Sequence, residues 1–471
     1  MTISIWWVTR DLRLDDNPAL VAAAQSGAVL PVFVLDDQTR AQGAASRWRL
    51  QRGLQALDAT LRKQHGQGLT ILKGAPEELL PHLAAQVEAS AIHQTDWPCP
   101  EMTAVQERLR QALKGKPVTL HLHPGHLLTI PGAIRTGSGG SYRVFTPFAR
   151  ALQAHGPDRP VNAPKALKLA DAPGGLDPAA LDLAPDMRGG ADVLARHALP
   201  AGEDQAFDRL HMFLDNAKGY GPDRDRPDRD STSGLSEHLA VGEISPRRIW
   251  AEALPHLDGP AGGDVAKFLS ELCWRDFAWH LLIEFPQMAA QPWRAEWRKF
   301  PWQGRGAGLT AWCQARTGIA LVDAGLREMR VTGRMHNRVR MVVASWLTKN
   351  LMIDWRLGLA HFQDNLTDWD PASNAMNWQW VAGCGPDASP FFRIFNPERQ
   401  AEQFDPKGQY RRRWLLGFEG ADGDEAQAYF DAIPPGWPVP RRWQPQSGAL
   451  AETRDRALDA YRAFKSDAGR S

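Results

Sequence analysis

The first 125 residues alternate short apolar runs with amphipathic stretches, and this alternation constrains the fold more than any other feature of the chain. "ISIWWVT" (3–9), "AVLPVFVLD" (28–36), "LTILKG" (69–74), "AIHQTD" (91–96) and "VTLHLHPG" (118–125) read as buried strands. Between them lie helical segments, the first opened by Asn17 as cap with Pro18 at the first helical position. Strands separated by helices must be joined by crossovers, so the expected product is a five-stranded parallel sheet covered on both faces. The layout is dinucleotide-binding-like. Yet "TRDLRLDDN" stands after the first strand, where a glycine-rich GxGxxG would cradle a pyrophosphate, so the usual fingerprint is absent.

Residues 131–203 are rich in Pro, Gly and Ala and read as a long connector. From 204 onward apolar residues recur at three-to-four spacing, as in "DVAKFLSELCWRDFAWHLLIEF" and "NRVRMVVASWLTKNL". The expected organisation is an α/β domain over 1–130, a linker over 131–203 and a large all-α domain over 204–471. No apolar run is long enough to span a bilayer, and the four cysteines form no CxxC pair. The reading is a cytoplasmic, monomeric protein without disulfides. With a net charge of +1, any nucleic-acid footprint must be local. Tryptophan is unevenly placed, with 4 of 19 before residue 200 and 15 after it. That enrichment suits stacking or redox work as well as an aromatic core.

Three stretches of the helical part can carry chemistry. In "LSELCWRDFAWHLL" (269–282), Glu271, Trp274 and Arg275 share a helix face, so a carboxylate sits beside an indole on which a ligand could stack. An ordinary Glu–Arg pair next to a core tryptophan accounts for the same residues. In "REMRVTGRMHNRVRM" (327–341), Arg330, Arg334 and Arg338 fall at i, i+4 and i+8, a basic ridge suited to phosphates. "KGQYRRRW" (407–414) makes the same argument more weakly, and His336 reads as structural. In 223–246, Ser231, Thr232, Ser233 and Ser236 surround Gly234, and hydroxyls and N–H groups at a helix start can hold a phosphate or simply cap the helix.

Taken together, "WVTRDLRLDDNPAL", "ELCWRDF", "TGRMHNRVRM", "DPASNAMNWQWVAG" and "DASPFFRIFNP" resemble the photolyase/cryptochrome family over essentially the whole chain. Within it the sequence is most similar to the bacterial class I enzymes that repair cyclobutane pyrimidine dimers (CPD) in DNA. The resemblance implies that the helical domain holds FAD, active as FADH⁻. Tyr220, Thr232, Ser233, Gly234, Leu235 and Ser236 would line the cofactor, Arg340, Asp368 and Asp370 would lie along it, and Asn374 would face flavin N5. Glu271, Trp274, Asn337, Met341 and Trp380 would form the dimer pocket. Arg224, Arg275, Arg338 and Gln400, with Glu271, Trp274 and Asn337, would meet UV-damaged DNA. Trp302, Trp355 and Trp378 match an electron-transfer chain to the flavin. No metal is implied.

Enzymes acting on (6-4) photoproducts carry a histidine pair where this chain has Asn337 and Met341, which favours dimer repair. Cryptochromes share the fold but signal, often through a tail, and the last helical pattern here ends a few residues before Ser471. An antenna chromophore (methenyltetrahydrofolate, a deazaflavin or a flavin) is left open. Glu101 aligns with a folate-binding glutamate of some relatives, but Pro100 replaces its usual asparagine neighbour.

Overall fold

The structure, a computed structural model, describes residues 2–171, 174–187, 189–387, 390–446 and 450–468. Its described residues divide into two compact units. One comprises the chain up to Pro185, Pro200–Tyr220 and Ser233–Pro286, and the other comprises Asp186–Leu199, Gly221–Thr232 and Gln287 onward.

In the first unit, β1 (Ile3–Val8), β2 (Ala28–Leu35), β3 (Thr70–Lys73), β4 (Ala89–Thr95) and β5 (Thr119–His123) form one parallel sheet in the order β3-β2-β1-β4-β5. β1 and β2 are almost wholly buried, as strands flanked by helices on both faces must be. Helix α1 (Pro18–Ser26) starts as its sequence demands, with Asn17 Oδ1 accepting from Leu20 N at 3.0 Å and Pro18 at the first position. The order reverses at β1, where open α/β sheets leave a crevice for ligands. Here that crevice is filled from within. Buried Asp11 accepts from Thr9 N (2.9 Å), Thr95 Oγ1 (2.8 Å), Trp6 Nε1 and Asn17 Nδ2 (both 3.1 Å). Arg13 donates to the carbonyls of Asp16, Gly125 and Gly242. The segment that replaces the glycine-rich loop is a polar plug.

The packing divides the chain elsewhere than at 203/204, and a set of buried charges is the reason. Helix α2 (Ala44–His65) supplies Arg49, whose guanidinium bonds both oxygens of Glu243 (2.9 and 2.5 Å) and lies 3.3 Å from Glu237. His238 Nδ1 is 2.6 Å from Glu243, and all four residues are at most 1% exposed. Arg247 and Ser245 bind Asp16 in the same way. Because isolated buried charges are costly, these pairs hold the segment 237–247 against the sheet. Helices α3 (Phe145–His155), α4 (Ser236–Val241) and α5 (Gly262–Glu284) therefore belong to the sheet's unit.

The network has a pH signature. Burial would push the Glu243 carboxyl up, but Arg49 and the hydrogen bonds from His238 and Arg49 hold it down at about 2, against an ordinary 4.5. A carboxyl lowered on folding adds stability that is complete above its unfolded pKa and is lost as pH falls through the folded one. Thermal midpoints are therefore expected to drop between about pH 4.5 and 2, and Glu243→Gln to flatten that part of the profile.

The second unit is helical: α6 (Ala320–Thr332), α7 (Asn337–Ser345), α8 (Trp355–Asn365), α9 (Pro371–Ala382) and α10 (Pro397–Phe404) carry the residues of interest. Its core is aromatic, with Trp297, Trp312, Trp346, Trp355 and Trp378 at most 4% exposed. Trp312 finds a partner in the Val343 carbonyl at 3.2 Å, whereas the indole N–H groups of Trp297, Trp346 and Trp355 are buried without one. Each orphaned donor costs on the order of 1–3 kcal/mol, which apolar side chains of similar size would avoid. No helix among the described residues is long and apolar enough to cross a membrane.

Candidate active site

Both units contribute expected site residues, and each part can be built from its own elements. In the first unit the chain reaches α4 through Ser233, Gly234 and Leu235. Gly234 sits at φ +66°, and a Cβ there would lie 2.7 Å from Arg209 Nε, which also donates to the Ser233 carbonyl at 2.6 Å. Only glycine satisfies both the left-handed backbone and the passing guanidinium. Leu235 is buried and no side chain caps α4, while Ser236 is exposed at its first position. Within the turn Ser233 Oγ accepts from Leu235 N at 3.5 Å, and a glycine-containing turn at a helix start suits an anion. The far end of α4 is pinned, because Gly242 (φ +77°) lies against the Arg10 carbonyl and Arg13 holds its oxygen at 2.9 Å. Tyr220 is buried edge-on against Phe213 and Phe268.

On α5, Glu271 and Trp274 are half-buried. Glu271 pairs with Lys267 one turn earlier at 3.2 Å. The Trp274 indole lies flat on Phe145, with centroids 3.5 Å apart and planes within 6°. Arg275 is half-buried as well. Its guanidinium turns inward to the carbonyl and ring of His126 (2.7 and 3.0 Å), and only 11% of its side chain is exposed.

In the second unit, the expected basic ridge does not form. Helix α6 ends at Thr332 because Gly333 takes a left-handed cap (φ +69°), and α7 begins anew at Asn337 with His336 Nδ1 as its cap. Arg330 lies over Trp437, Arg334 falls between the helices, and Arg338 bonds Asp225 at 2.5 Å and covers Phe404. The run at 407–414 is likewise neutralised, since Arg411, Arg412 and Arg413 pair with Asp405, Glu419 and Glu425. Asn337 is exposed at the start of α7, and Met341 lies one turn on along the same face. Thr232 and Arg224 are half-buried, as is Gln400 on α10.

Four polar residues on and next to α7 and α9 form two hydrogen-bonded pairs. Arg340 donates to the Met335 carbonyl at 2.7 Å and to both oxygens of Asp368 at 2.8 and 3.0 Å. Asp370 caps α9 through Ser373 N at 2.7 Å. The Asp370 carbonyl accepts Asn374 Nδ2 at 3.1 Å, which orients the amide and keeps Oδ1 available as a neutral acceptor. Asn374 is 7% exposed.

The two tryptophans of "NWQW" lie on a helix, where residues two apart point about 200° apart. Trp378 is buried against Phe362 and Trp312, while Trp380 is only partly covered. Trp378 also rests on α8 at Gly358, where a Cβ would come within 2.2 Å of its ring. Trp355 lies three residues before Gly358, on the same face of α8. Gln303 N and O pair with Met352 O and Asp354 N at 2.7 and 3.0 Å, which seats the Trp302 segment beside Trp355. The structure therefore gathers Trp378, Trp355 and Trp302 on adjoining segments. A residue the sequence reading missed is Phe145. Only the long-range stack on Trp274 reveals it.

Residues 4–165 match the DNA photolyase family, and residues 268–463 match the FAD binding domain of DNA photolyase. A deoxyribodipyrimidine photo-lyase of Agrobacterium fabrum is 39% identical, the match covering 98% of each chain. Among solved structures, a bacterial class III photolyase from Agrobacterium tumefaciens superposes with a TM-score of 0.89 at 38% identity, covering 99% of this chain and 98% of that one. A Synechocystis cryptochrome gives 0.83 at 26% identity, covering 98% and 99%. The sheet without a nucleotide fingerprint, the helical unit with its Arg340–Asp368 pair, and matches that run nearly end to end lead to one assignment: the chain belongs to the DNA photolyase family and carries that family's FAD-binding domain.

Proposed function

We propose that this protein is a light-driven deoxyribodipyrimidine photo-lyase that splits cyclobutane pyrimidine dimers in UV-damaged DNA, acting as a cytoplasmic monomer. The observation that carries the reading is the Asn374 amide, oriented by the Asp370 carbonyl so that its neutral oxygen is left to accept a hydrogen bond from a protonated ring nitrogen. Such a group suits a reduced flavin, beside which a carboxylate would add a second negative charge. The uncapped turn at Ser233–Ser236, with Thr232, would hold the cofactor's phosphates through backbone N–H and hydroxyl donors. Arg340, fixed by Asp368, would lie along the ring system.

The chemistry that reduced FAD would supply there, when bound, is light-driven one-electron donation with no net redox change. The chain's own groups prepare that event. Trp274 would offer its indole to an extruded dimer, as would Trp380, and extrusion costs least at a damaged, poorly stacked step. Glu271 would accept an imide N–H of the dimer, and Asn337 would donate its amide to a carbonyl oxygen on which negative charge develops. Arg224, Arg338 and Gln400 would contact the strand backbone, which positions DNA without reading its sequence. The partly covered Trp302, buried Trp355 and Trp378 would return the flavin to its reduced state after adventitious oxidation.

The test is loss of dimers from UV-irradiated DNA mixed with reduced protein, under blue light and in darkness. Light-dependent loss is expected. Bound FAD without any repair would instead favour a photoreceptor of the cryptochrome kind.

A further inference from the structure

We propose that Phe145 is a positioning residue that locks the Trp274 indole in the orientation required to stack on a dimer. The inference deepens the proposed function and rests on the reading of Trp274 as the dimer-stacking ring. Phe145 is the first residue of α3, preceded by exposed Val144 in an extended conformation with no side-chain cap. It is held from the next turns: Phe148 (2% exposed) packs on Phe277 at 5.2 Å and on His280 at 5.0 Å, and Leu152 is fully buried. Anchored in this way, α3 presents Phe145 along the face of α5 that carries Trp274, Phe277 and His280. Phe277 also meets the Trp274 ring edge-on, at 6.0 Å and 73°.

Two features separate this contact from ordinary filling of space. Aromatic pairs favour offset or edge-on geometry, yet Phe145 and Trp274 lie face to face with planes 6° apart and centroids 3.5 Å apart. Both rings are also only half-buried, so the stack covers one indole face at the protein surface and gains little from burial. Its consequence is directional. A planar ligand can use only the opposite face, and the indole cannot swing about its two side-chain torsions. Holding a ring in its binding orientation before the ligand arrives lowers the ordering cost of binding.

The experiment uses the full chain with reduced FAD. The probes are an oligonucleotide carrying one cyclobutane thymine dimer and the same oligonucleotide undamaged. Phe145→Leu, which keeps an apolar group and removes the ring, is expected to weaken binding of the dimer oligonucleotide by about three- to tenfold. The loss should appear in Kd and KM, with first-order repair at saturation and binding of undamaged DNA retained. Phe145→Tyr should restore the affinity. Should Phe145→Leu lose flavin or melt early, Phe145→Met is read in its place. Unchanged dimer affinity, or an equal loss for damaged and undamaged DNA, overturns the inference. Trp274→Ala separates the two levels. If it abolishes dimer preference while Phe145→Leu does not, only the positioning role fails; if it too leaves dimer binding intact, the reading of Trp274 is wrong.

Discussion

Trp378→Phe is expected to slow light-driven reduction of oxidised flavin by roughly tenfold or more, while repair by chemically pre-reduced protein continues at the parent rate. An increase of about 1.4 kcal/mol in the barrier to the first transfer suffices for that factor, and a phenyl ring is much harder to oxidise than an indole. The substitution is sterically mild, because the Trp378 pocket is lined by Phe362, Trp312 and the bare backbone of Gly358. Flavin absorbance during illumination with an external reductant, set beside a repair assay on dithionite-reduced enzyme, measures both quantities. Parent-like photoreduction in the variant would remove Trp378 from the relay, and loss of both activities would mean that the substitution had damaged the flavin site itself.

Arg49→Met should be the most damaging single change away from the flavin and DNA residues. It leaves Glu237 and Glu243 buried without their shared cation, and breaking one side of a buried ion pair costs about 3–5 kcal/mol. The loss would appear as a lowered midpoint in denaturant or on heating, accompanied by release of flavin, since Glu237 sits on the first turn of α4, directly after the Ser233–Ser236 turn. Adding Glu237→Gln and Glu243→Gln to Arg49→Met should recover part of the loss, because the uncompensated charges disappear with them. If Arg49→Met melted like the parent, these charges would not be what holds 237–247 to the sheet.

How much of this was legible beforehand differs from element to element. The strands and the cap of α1 follow from residues adjacent in sequence, and they lie where periodicity and the Asn17–Pro18 pair place them. The helical break at Gly333 had a local signal as well, Thr-Gly followed by a capping His336, but it is hidden by the attractive i, i+4, i+8 spacing of the arginines. The internal partner of Arg275 could not be read from its neighbours. Its partner His126 lies 149 positions away, and a helix face alone does not say which of its charges turn inward. Phe145 was invisible for the same reason, since nothing near it in sequence mentions Trp274.

The amino-acid sequence by itself determined the layout of sheet and helices, the absence of a nucleotide fingerprint, and the family motifs, because these rest on hydrophobic period, turn chemistry and residue identity, all local properties. Tertiary structure alone decided which arginines are spent on internal partners and where the chain divides into units. Those outcomes depend on the cost of burying a charge or an indole N–H far from its partner, which is settled only when distant segments meet.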